Sequence, residues 1–373
     1  MPSRRIESVL SPHYNAVKNG SIHSLPGTPV NTSRRRLRLR AQGVVGSPSC
    51  LLQQKLHTSQ CIVPVEVVEE IVVAILAEQP TFSSIANLSL ASYQFRQIAF
   101  RNFFKNFNAL SKRAWCLLTG ISGVYSWARS IQSLSTTIFH NIETLQHFQN
   151  IHTVNVDMSP EGLNTQRTFI KYLLAHLPSR LLHLKLCFLP RIDTNLLSGI
   201  AERFPALKTL ALTCTERLID DCCWDCYEET STCTLHSPIP DVYFDAEDLS
   251  CAFGSALSPL TKLEHLTLGI FLSHLDTLHY HLRHCRSTAT TPAILQVYGP
   301  GSCTYCRLAF ESGTWNGELF ASASVSRFLP ALKSVSWSSY FVGDQPGDGL
   351  DGLTTTAWVR REEGKVSVRR APW

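Results

Sequence analysis

The sequence predicts an α/β protein in which a small three-helix unit precedes an irregular solenoid of alternating helices and short strands. Short apolar segments at helical spacing fill residues 61–107, and an apolar triplet returns five times after residue 150. The chain of 373 residues is 44% hydrophobic and 17% charged, which allows a large buried core and argues against disorder of the whole chain.

The composition excludes several classes of protein. The longest uninterrupted apolar stretch near the N-terminus, residues 71–77, is far shorter than the roughly 20 residues that a membrane span needs. The N-terminus also lacks the apolar core of a signal peptide, so we expect neither secretion nor a membrane partner. The 13 cysteines are then expected in the cytoplasm or the nucleus, as thiols or metal ligands rather than as disulfides.

The positive charge is confined to one end of the chain. Residues 1–60 carry nine Lys and Arg against one acid, and the remainder carries 25 against 28. The body therefore shows no basic face for nucleic acid, and we expect no nucleic-acid partner. Residues 1–57 are predicted to be a disordered basic tail. Its Arg-rich run at 34–40 is open to interpretation as a nuclear import signal, an anionic-surface contact, a transit peptide or a solvated segment.

Residues 61–107 are predicted to form three short helices. Pro64 stands where a helix begins, and apolar residues then recur at helical spacing until Pro80 ends the segment. Two further apolar segments follow at 82–90 and 93–104. Three short helices enclose only a very small core, so we expect their surplus apolar surface to be buried against a partner.

Both ends of this unit resemble a known family. Residues 63–71 read Val-Pro-Val-Glu-Val-Val-Glu-Glu-Ile, and residues 88–99 read Leu-Ser-Leu-Ala-Ser-Tyr-Gln-Phe-Arg-Gln-Ile-Ala. These segments resemble the opening and the close of the F-box, from which Val63, Ala91, Ser92 and Phe95 depart. The resemblance covers about 45 of the 373 residues. It implies that the unit binds a Skp-family adaptor through Val63, Pro64, Val67, Ile71, Leu88 and Phe95. The alternative is an unrelated helical hairpin that opens the solenoid.

The repeats begin at residue 151. Apolar residues occupy the first, fourth and sixth positions of segments that start at 151, 181, 207, 263 and 332, and a segment of helical period precedes each later one. This is the unit of a leucine-rich repeat, so residues 151–343 are predicted to be a leucine-rich-repeat solenoid whose inward residues stack from repeat to repeat. The two longest intervals must each contain a further repeat, with residues 294–298 as a candidate strand, or a long insertion. The alternative is an ordinary α/β domain with Leu-rich strands.

Two segments flank the predicted solenoid. Residues 108–150 are predicted to be an irregular helical connector in which Trp115 and Trp127 are buried. Residues 344–373 are predicted to be a C-terminal loop followed by a hairpin, with strands at 358–361 and 366–369 that cover the open end of the solenoid.

Two cysteine pairs have the C-x-x-C spacing of zinc ligands, Cys223 with Cys226 and Cys303 with Cys306. The pairs are too far apart in sequence for a one-piece zinc module. Thiols without a metal are the favoured interpretation, and a zinc clip shared by the two pairs is the alternative. No nucleophile elbow, H-E-x-x-H, P-loop or kinase signature occurs, so we expect no catalytic residue, no enzyme and no cofactor.

The whole chain resembles the divergent fungal F-box/leucine-rich-repeat proteins. This resemblance implies the substrate-receptor subunit of an SCF-type cullin–RING ubiquitin ligase. In that role the three-helix unit binds the Skp-family adaptor and through it a cullin, and the repeats bind a target protein that the sequence does not identify. The alternative function is a leucine-rich-repeat interaction scaffold with a degenerate F-box and no ligase role.

Overall fold

The computed structural model describes residues 63–214, 243, 245–273, 277, 280, 303–342 and 354–373. The predicted tail at 1–57, the candidate strand at 294–298 and the pair Cys223 and Cys226 lie outside these residues. Within them the protein is a mixed α/β structure with a mostly parallel sheet, as the sequence predicts at this level.

Three helices open the described chain, α1 Val65–Glu78, α2 Phe82–Ala91 and α3 Tyr93–Phe103. Pro64 precedes α1, and the Ser92 hydroxyl caps α3 by accepting a hydrogen bond of 3.1 Å from the Phe95 amide. The three helices pack on one another around a small buried cluster: Val68, Val72, Ile85, Ile98 and Ala99. This confirms three helices in this part of the chain.

A single sheet follows, with its strands in chain order. Its described strands are β1 Asn106–Ala109, β2 Ser130–Leu134, β3 Thr153–Asp157, β4 His183–Leu189, β5 Thr209–Cys214, β6 His265–Phe271, β7 Ser334–Ser338, β8 Thr354–Glu362 and β9 Lys365–Arg369. Strands β1 to β7 are parallel, and β8 and β9 are antiparallel to their neighbours. Each parallel pair consists of strands that are consecutive in sequence.

Helices connect the parallel strands and pack beside one another. They are α4 Lys112–Thr119, α5 Val124–Trp127, α6 Ser135–Phe139, α7 Leu163–His176, α8 Thr194–Arg203, α9 Ala246–Leu257, α10 Thr304–Cys306 and α11 Ser312–Phe328, with a π-helical turn at Arg307–Glu311 before the last. The side chains of Asp193 and Asp245 cap α8 and α9. Contacts run from α6 to α7, α7 to α8, α8 to α9 and α9 to α11, so these helices form one layer.

Stacked apolar positions join the strands to this helical layer. The fourth positions of the five segments pair in register across β3 to β7: Val154, Leu184, Leu210, Leu266 and Val335. All of them are buried, and so are the sixth positions from Val156 to Trp337. Both rows belong to one cluster with the inner faces of the helices. The intervening residues of each strand are only partly buried, which gives the alternation of a sheet covered on one face.

The prediction of an irregular helical segment at 108–150 is right for α4, α5 and α6, but it missed the strands of this region. Strand β2 lies within it and β1 overlaps its start, so the sheet begins at Asn106 rather than after residue 150. The inward residues of these strands are Phe107, Ala109, Ile131 and Ser133, which do not form the Leu-rich triplet that marks the later strands. Trp115 is buried as expected and its indole N–H donates to the Thr144 hydroxyl, whereas Trp127 is half-buried.

The two long intervals of the chain, between β5 and β6 and between β6 and β7, add no described strand between these pairs. Strand β5 pairs directly with β6, and β6 pairs directly with β7. No further strand therefore lies between them in the sheet, which decides between the two possibilities that the sequence leaves open.

The C-terminal hairpin is confirmed and extends the sheet. Strand β8 pairs with β7, and Glu362 pairs with Lys365 across a turn in which Glu363 and Gly364 have φ angles of 50° and 77°. The guanidinium of Arg361 donates to three carbonyl oxygens near the end of α11, those of Ser326, Leu329 and Leu332. The hairpin therefore satisfies carbonyl groups that the end of α11 leaves without an intrahelical donor.

A buried carboxylate fastens the hairpin to α11. Glu318 is 2% exposed, and its carboxylate accepts hydrogen bonds from the Thr355 hydroxyl and from Arg370. Arg370 also lies over the ring of Trp315, with 4.4 Å to the ring centroid. Burial raises the pKa of Glu318, against the lowering effects of Ser339, Thr355 and Arg370.

We expect Arg370→Met to destabilise the protein by about 3 kcal/mol at about pH 7, because it leaves a buried carboxylate without its cation. The pKa of Glu318 is higher in the folded protein than in the unfolded chain. Ionised Glu318 therefore disfavours folding most at a pH above this raised pKa, and the side chain takes up a proton as the pH falls. The cost of Arg370→Met should therefore shrink toward about pH 5. Urea unfolding at both pH values measures this. Arg369→Met, whose arginine stacks on exposed Trp373, is the control. A pH-independent cost would contradict an ionised Glu318.

The backbones of β5 and β6 lie close together at Gly269 of β6. A Cβ atom on Gly269 would lie 2.6 Å from Thr213 Cα and 2.7 Å from Cys214 N, both of which are backbone atoms. By contrast, a Cβ on Gly313 in α11 would meet no atom within 4 Å. The pairing of β5 with β6 therefore requires glycine at position 269.

We expect Gly269→Ala to destabilise the protein by about 1–3 kcal/mol, because the added methyl group must push two paired strands apart. Gly313→Ala is the matched control and should stabilise the protein by about 0.5–1 kcal/mol through helix propensity. Thermal unfolding of the two variants provides the measurement. Equal effects of the two substitutions would contradict the close approach of the strands.

Candidate protein-interaction surface

The first helix carries an exposed apolar strip, which we define as Val63, Pro64, Val67 and Ile71 (the α1 strip). Val63, Val67 and Ile71 are 48%, 43% and 45% exposed, and Pro64 is exposed as well. Residues four apart lie on one side of a helix, so Val67 and Ile71 share one side of α1, and Val63 and Pro64 immediately precede this helix. These four exposed apolar side chains therefore lie within the first nine residues of the described chain.

The strip is exposed because α1 has only one face against its neighbours. Val68 and Val72 lie on that face and are buried against α2 and α3. Val67 and Ile71 each precede a buried residue, and one step along a helix turns the side chain by about 100°. The unit thus contains more apolar residues at helical spacing than its core can accept.

Acidic side chains lie beside the strip. Helix α1 contains Glu66, Glu69, Glu70 and Glu78 and no basic residue. Glu69 pairs with Arg101 of α3, whereas Glu66 and Glu70 are exposed on the outer side of the helix. A partner that buries the strip would therefore meet a rim of negative charge.

Two of the six residues assigned by resemblance do not belong to the strip. Leu88 and Phe95 are half-buried and pack against the small core of the three-helix unit. The structure therefore exposes Val67 and Ile71 on α1 and Val63 and Pro64 just before it, and it places Leu88 and Phe95 mainly in packing roles.

Sequence reasoning missed two strongly exposed apolar residues where α2 meets α3. Leu90 is 70% exposed and Tyr93 is 76% exposed. Helical geometry contains the signal for Leu90, because a residue two positions after the inward-facing Leu88 is turned by about 200° and must face outward. Tyr93 is the first residue of α3 and follows the cap at Ser92.

Aromatic side chains join the three-helix unit to the start of the sheet. The ring of Phe82 lies against Phe100 and Phe103, with centroids 5.8 Å and 5.4 Å apart. Phe100 in turn contacts Phe104, a buried residue of the large core, and Trp127 of α5. The α1 strip is therefore presented on a unit that is packed against the rest of the protein.

The second cysteine pair has a packing role in the structure. Cys306 is buried in a cluster with Tyr340 and Phe341, and Cys303 is half-buried beside it. Among the described residues, no group of three or more His, Cys, Asp or Glu side chains could hold a metal ion. The partner pair proposed for the zinc clip lies outside these residues.

Comparison of the chain with protein-family models, with curated proteins and with solved structures gives no match. In the described ranges, every helix is too short or too polar to cross a bilayer. Function is therefore inferred from the residues and their placement alone.

We expect aspartate to be tolerated at position 71 and rejected at position 72. Ile71→Asp changes an exposed side chain and should cost less than about 1 kcal/mol, whereas Val72→Asp places a charge in the core of the three-helix unit and should unfold it. Amide hydrogen exchange over residues 65–103 distinguishes the two outcomes. Equal loss of protection in both variants would mean that Ile71 is enclosed in the native protein.

Proposed function

We propose that this protein is an F-box-type substrate receptor of an SCF-type cullin–RING ubiquitin ligase. In this role the α1 strip binds a Skp-family adaptor, the adaptor connects the protein to a cullin, and the sheet domain binds a target protein. The protein is not itself an enzyme in this proposal and acts in the cytoplasm or the nucleus. The observation that carries the proposal is the exposure of the α1 strip, at the position where the resemblance to the F-box puts its adaptor-binding residues.

Energetics favour a partner for this surface. Full burial of a Val or Ile side chain stabilises a protein or a complex by about 1.5–3 kcal/mol. Because Val63, Val67 and Ile71 are 43–48% exposed, roughly half of that stabilisation is still to be gained at each of them when a partner binds. The three-helix unit buries only five apolar residues in its own core. An apolar groove on another protein is the surface that would complete this burial, and basic residues at its edge would complement Glu66 and Glu70.

The sheet domain supports the second half of the proposal. Parallel strands that follow one another in chain order, joined by helices on one face, are the arrangement expected for leucine-rich repeats. The fourth and sixth residues of the five apolar triplets lie in five of those strands, where they face inward and pair in register. The uncovered face of such a sheet is extended and polar, which suits the binding of a protein segment.

We expect Ile71→Asp to abolish binding to the Skp-family adaptor, because it puts a charge at the centre of an apolar contact. Val73→Asp is the matched control. Val73 lies on the same helix and is 53% exposed, but helical geometry places it about 160° around the helix from Ile71. Isothermal titration of the separately purified adaptor against each full-length variant measures the affinity. The affinity should fall by at least about 100-fold for Ile71→Asp and by less than about threefold for Val73→Asp.

Two results would contradict the proposal. Undiminished adaptor binding by Ile71→Asp would show that the strip is not the interface. Absence of adaptor binding by the unsubstituted protein would leave the alternative, an interaction scaffold with a degenerate F-box and no ligase role.

A further inference from the structure

A row of hydroxyl and imidazole side chains crosses the face of the sheet opposite the helices, and all its members except the buried Ser334 are partly exposed. Its members are paired in register on consecutive strands: Ser130, Thr153, His183, Thr209, His265 and Ser334. We call this set the histidine row. The parallel register places one side chain per strand, at a spacing of about 4.8 Å.

Neighbouring hydroxyl groups fix the two imidazole rings. His183 Nδ1 lies 3.0 Å from the Thr209 hydroxyl, and His265 Nδ1 lies 2.9 Å from the Ser334 hydroxyl. In each ring the nitrogen nearer the backbone is engaged, so Nε2 at the far end is the atom that a bound partner can meet. Both histidines are only partly buried.

A line of mostly basic residues borders the histidine row. The backbone carbonyls of Lys105, Arg129, His152, Leu182, Lys208 and Glu264 each accept two amide hydrogen bonds from the next strand segment, and Lys333 continues this line. Four members are basic and only Glu264 is acidic. Glu264 pairs with both Lys208 and Lys333, which lowers its pKa, with the hydrogen bond from Lys333 as the main cause.

Burial and neighbouring basic residues both disfavour the charged form of His183. Its pKa is lowered first by burial, then by Lys208, His152 and His265, and only Glu264 acts in the opposite direction. The side chains of Lys208 and Lys333 are 48% and 62% exposed, and after their pairing with Glu264 these three residues carry one net positive charge that a partner can reach. An anionic group beside His183 would relieve the repulsion among these cations.

We propose that the histidine row and its basic border bind an acidic segment of another protein, in which carboxylates or phosphates lie over His183, Lys208 and His265. This inference rests on the proposed function, for which it names the chemistry of the target, but the binding it predicts does not involve the adaptor.

The composition of the row favours a peptide over other anions or a metal ion. Hydroxyl and imidazole groups can hydrogen-bond to peptide groups, and no phenylalanine, tyrosine or tryptophan stands in the row to stack on nucleic-acid bases. His183 and His265 are two strands apart, about 10 Å, which is too far for both to bind one metal ion.

The test measures the binding of fluorescein-labelled peptides to the full-length protein by fluorescence anisotropy at low ionic strength. One peptide alternates Glu with Ser, the second replaces Glu with Gln, and the third alternates phosphoserine with Gln. We expect the two anionic peptides to bind and the neutral one not to bind. The stronger of the two anionic peptides identifies whether carboxylate or phosphate is the preferred group.

Charge substitutions in both directions identify the site. Lys208→Gln should weaken binding about fivefold, and Glu264→Gln, which removes the acidic member of the border, should strengthen it about fivefold. Lys171→Gln makes the same charge change on exposed Lys171 of helix α7 and is the matched control, expected to change affinity less than about twofold. Every variant retains residues 1–60, so the contribution of that basic segment is constant.

The pH dependence supplies a second readout. A bound anion favours the protonated imidazole. The affinity for the peptide that alternates Glu with Ser should therefore rise as the pH falls from about 7.5 to about 6, and His183→Gln should flatten that rise. Equal effects of Lys208→Gln and Lys171→Gln, or weaker binding by Glu264→Gln, would overturn the proposal. So would stronger binding of a single-stranded oligonucleotide that responds to the same substitutions. Each of these results leaves adaptor binding by the α1 strip untouched.

Discussion

The stacking of inward apolar residues from strand to strand is the constraint on which the rest of the structure depends. Each strand contributes one or two large side chains to the layer between sheet and helices, and no single strand with its helix could bury them alone. The residues that share a register position, from Val154 through Leu210 to Val335, must therefore be buried together or not at all. This requirement fixes the chain order of the strands and keeps the helices on one face.

Because one face of the sheet is occupied by packing, the other is left for polar side chains. The same register that stacks Leu184 on Leu210 places His183 beside Thr209 on the opposite face. A repeating hydrogen-bond pattern between strand segments then sets Lys208 and Glu264 beside each other at the edge. The polar row and its charged border are thus consequences of the apolar stacking.

The three-helix unit presents the opposite situation. Its core holds five buried apolar residues, and its attachment to the sheet depends on aromatic contacts of Phe82, Phe100 and Phe104. Helix α1 is apolar on more of its circumference than α2 and α3 can cover, so Val67 and Ile71 remain in solvent. The end of the sheet is treated differently, since the hairpin of β8 and β9 covers it and Glu318 fastens the hairpin to α11.

The sequence by itself determined the features that depend on local periodicity. It predicted three helices near the N-terminus, the inward apolar residues of β3 to β7 and the C-terminal hairpin. Each of these features depends on the pattern of residues within one segment. The prediction failed for β1 and β2, because the inward Ala109 is small and the inward Ser133 is polar, so neither strand shows the pattern of large apolar residues. Only the tertiary structure decided that β5 pairs directly with β6 and β6 with β7, and that Leu88 and Phe95 pack inward while Tyr93 faces solvent. It also decided that residues as distant in sequence as His183, Lys208 and Lys333 share one edge. The physical reason is that register and burial depend on which segments meet, and that information is not contained in any one of them.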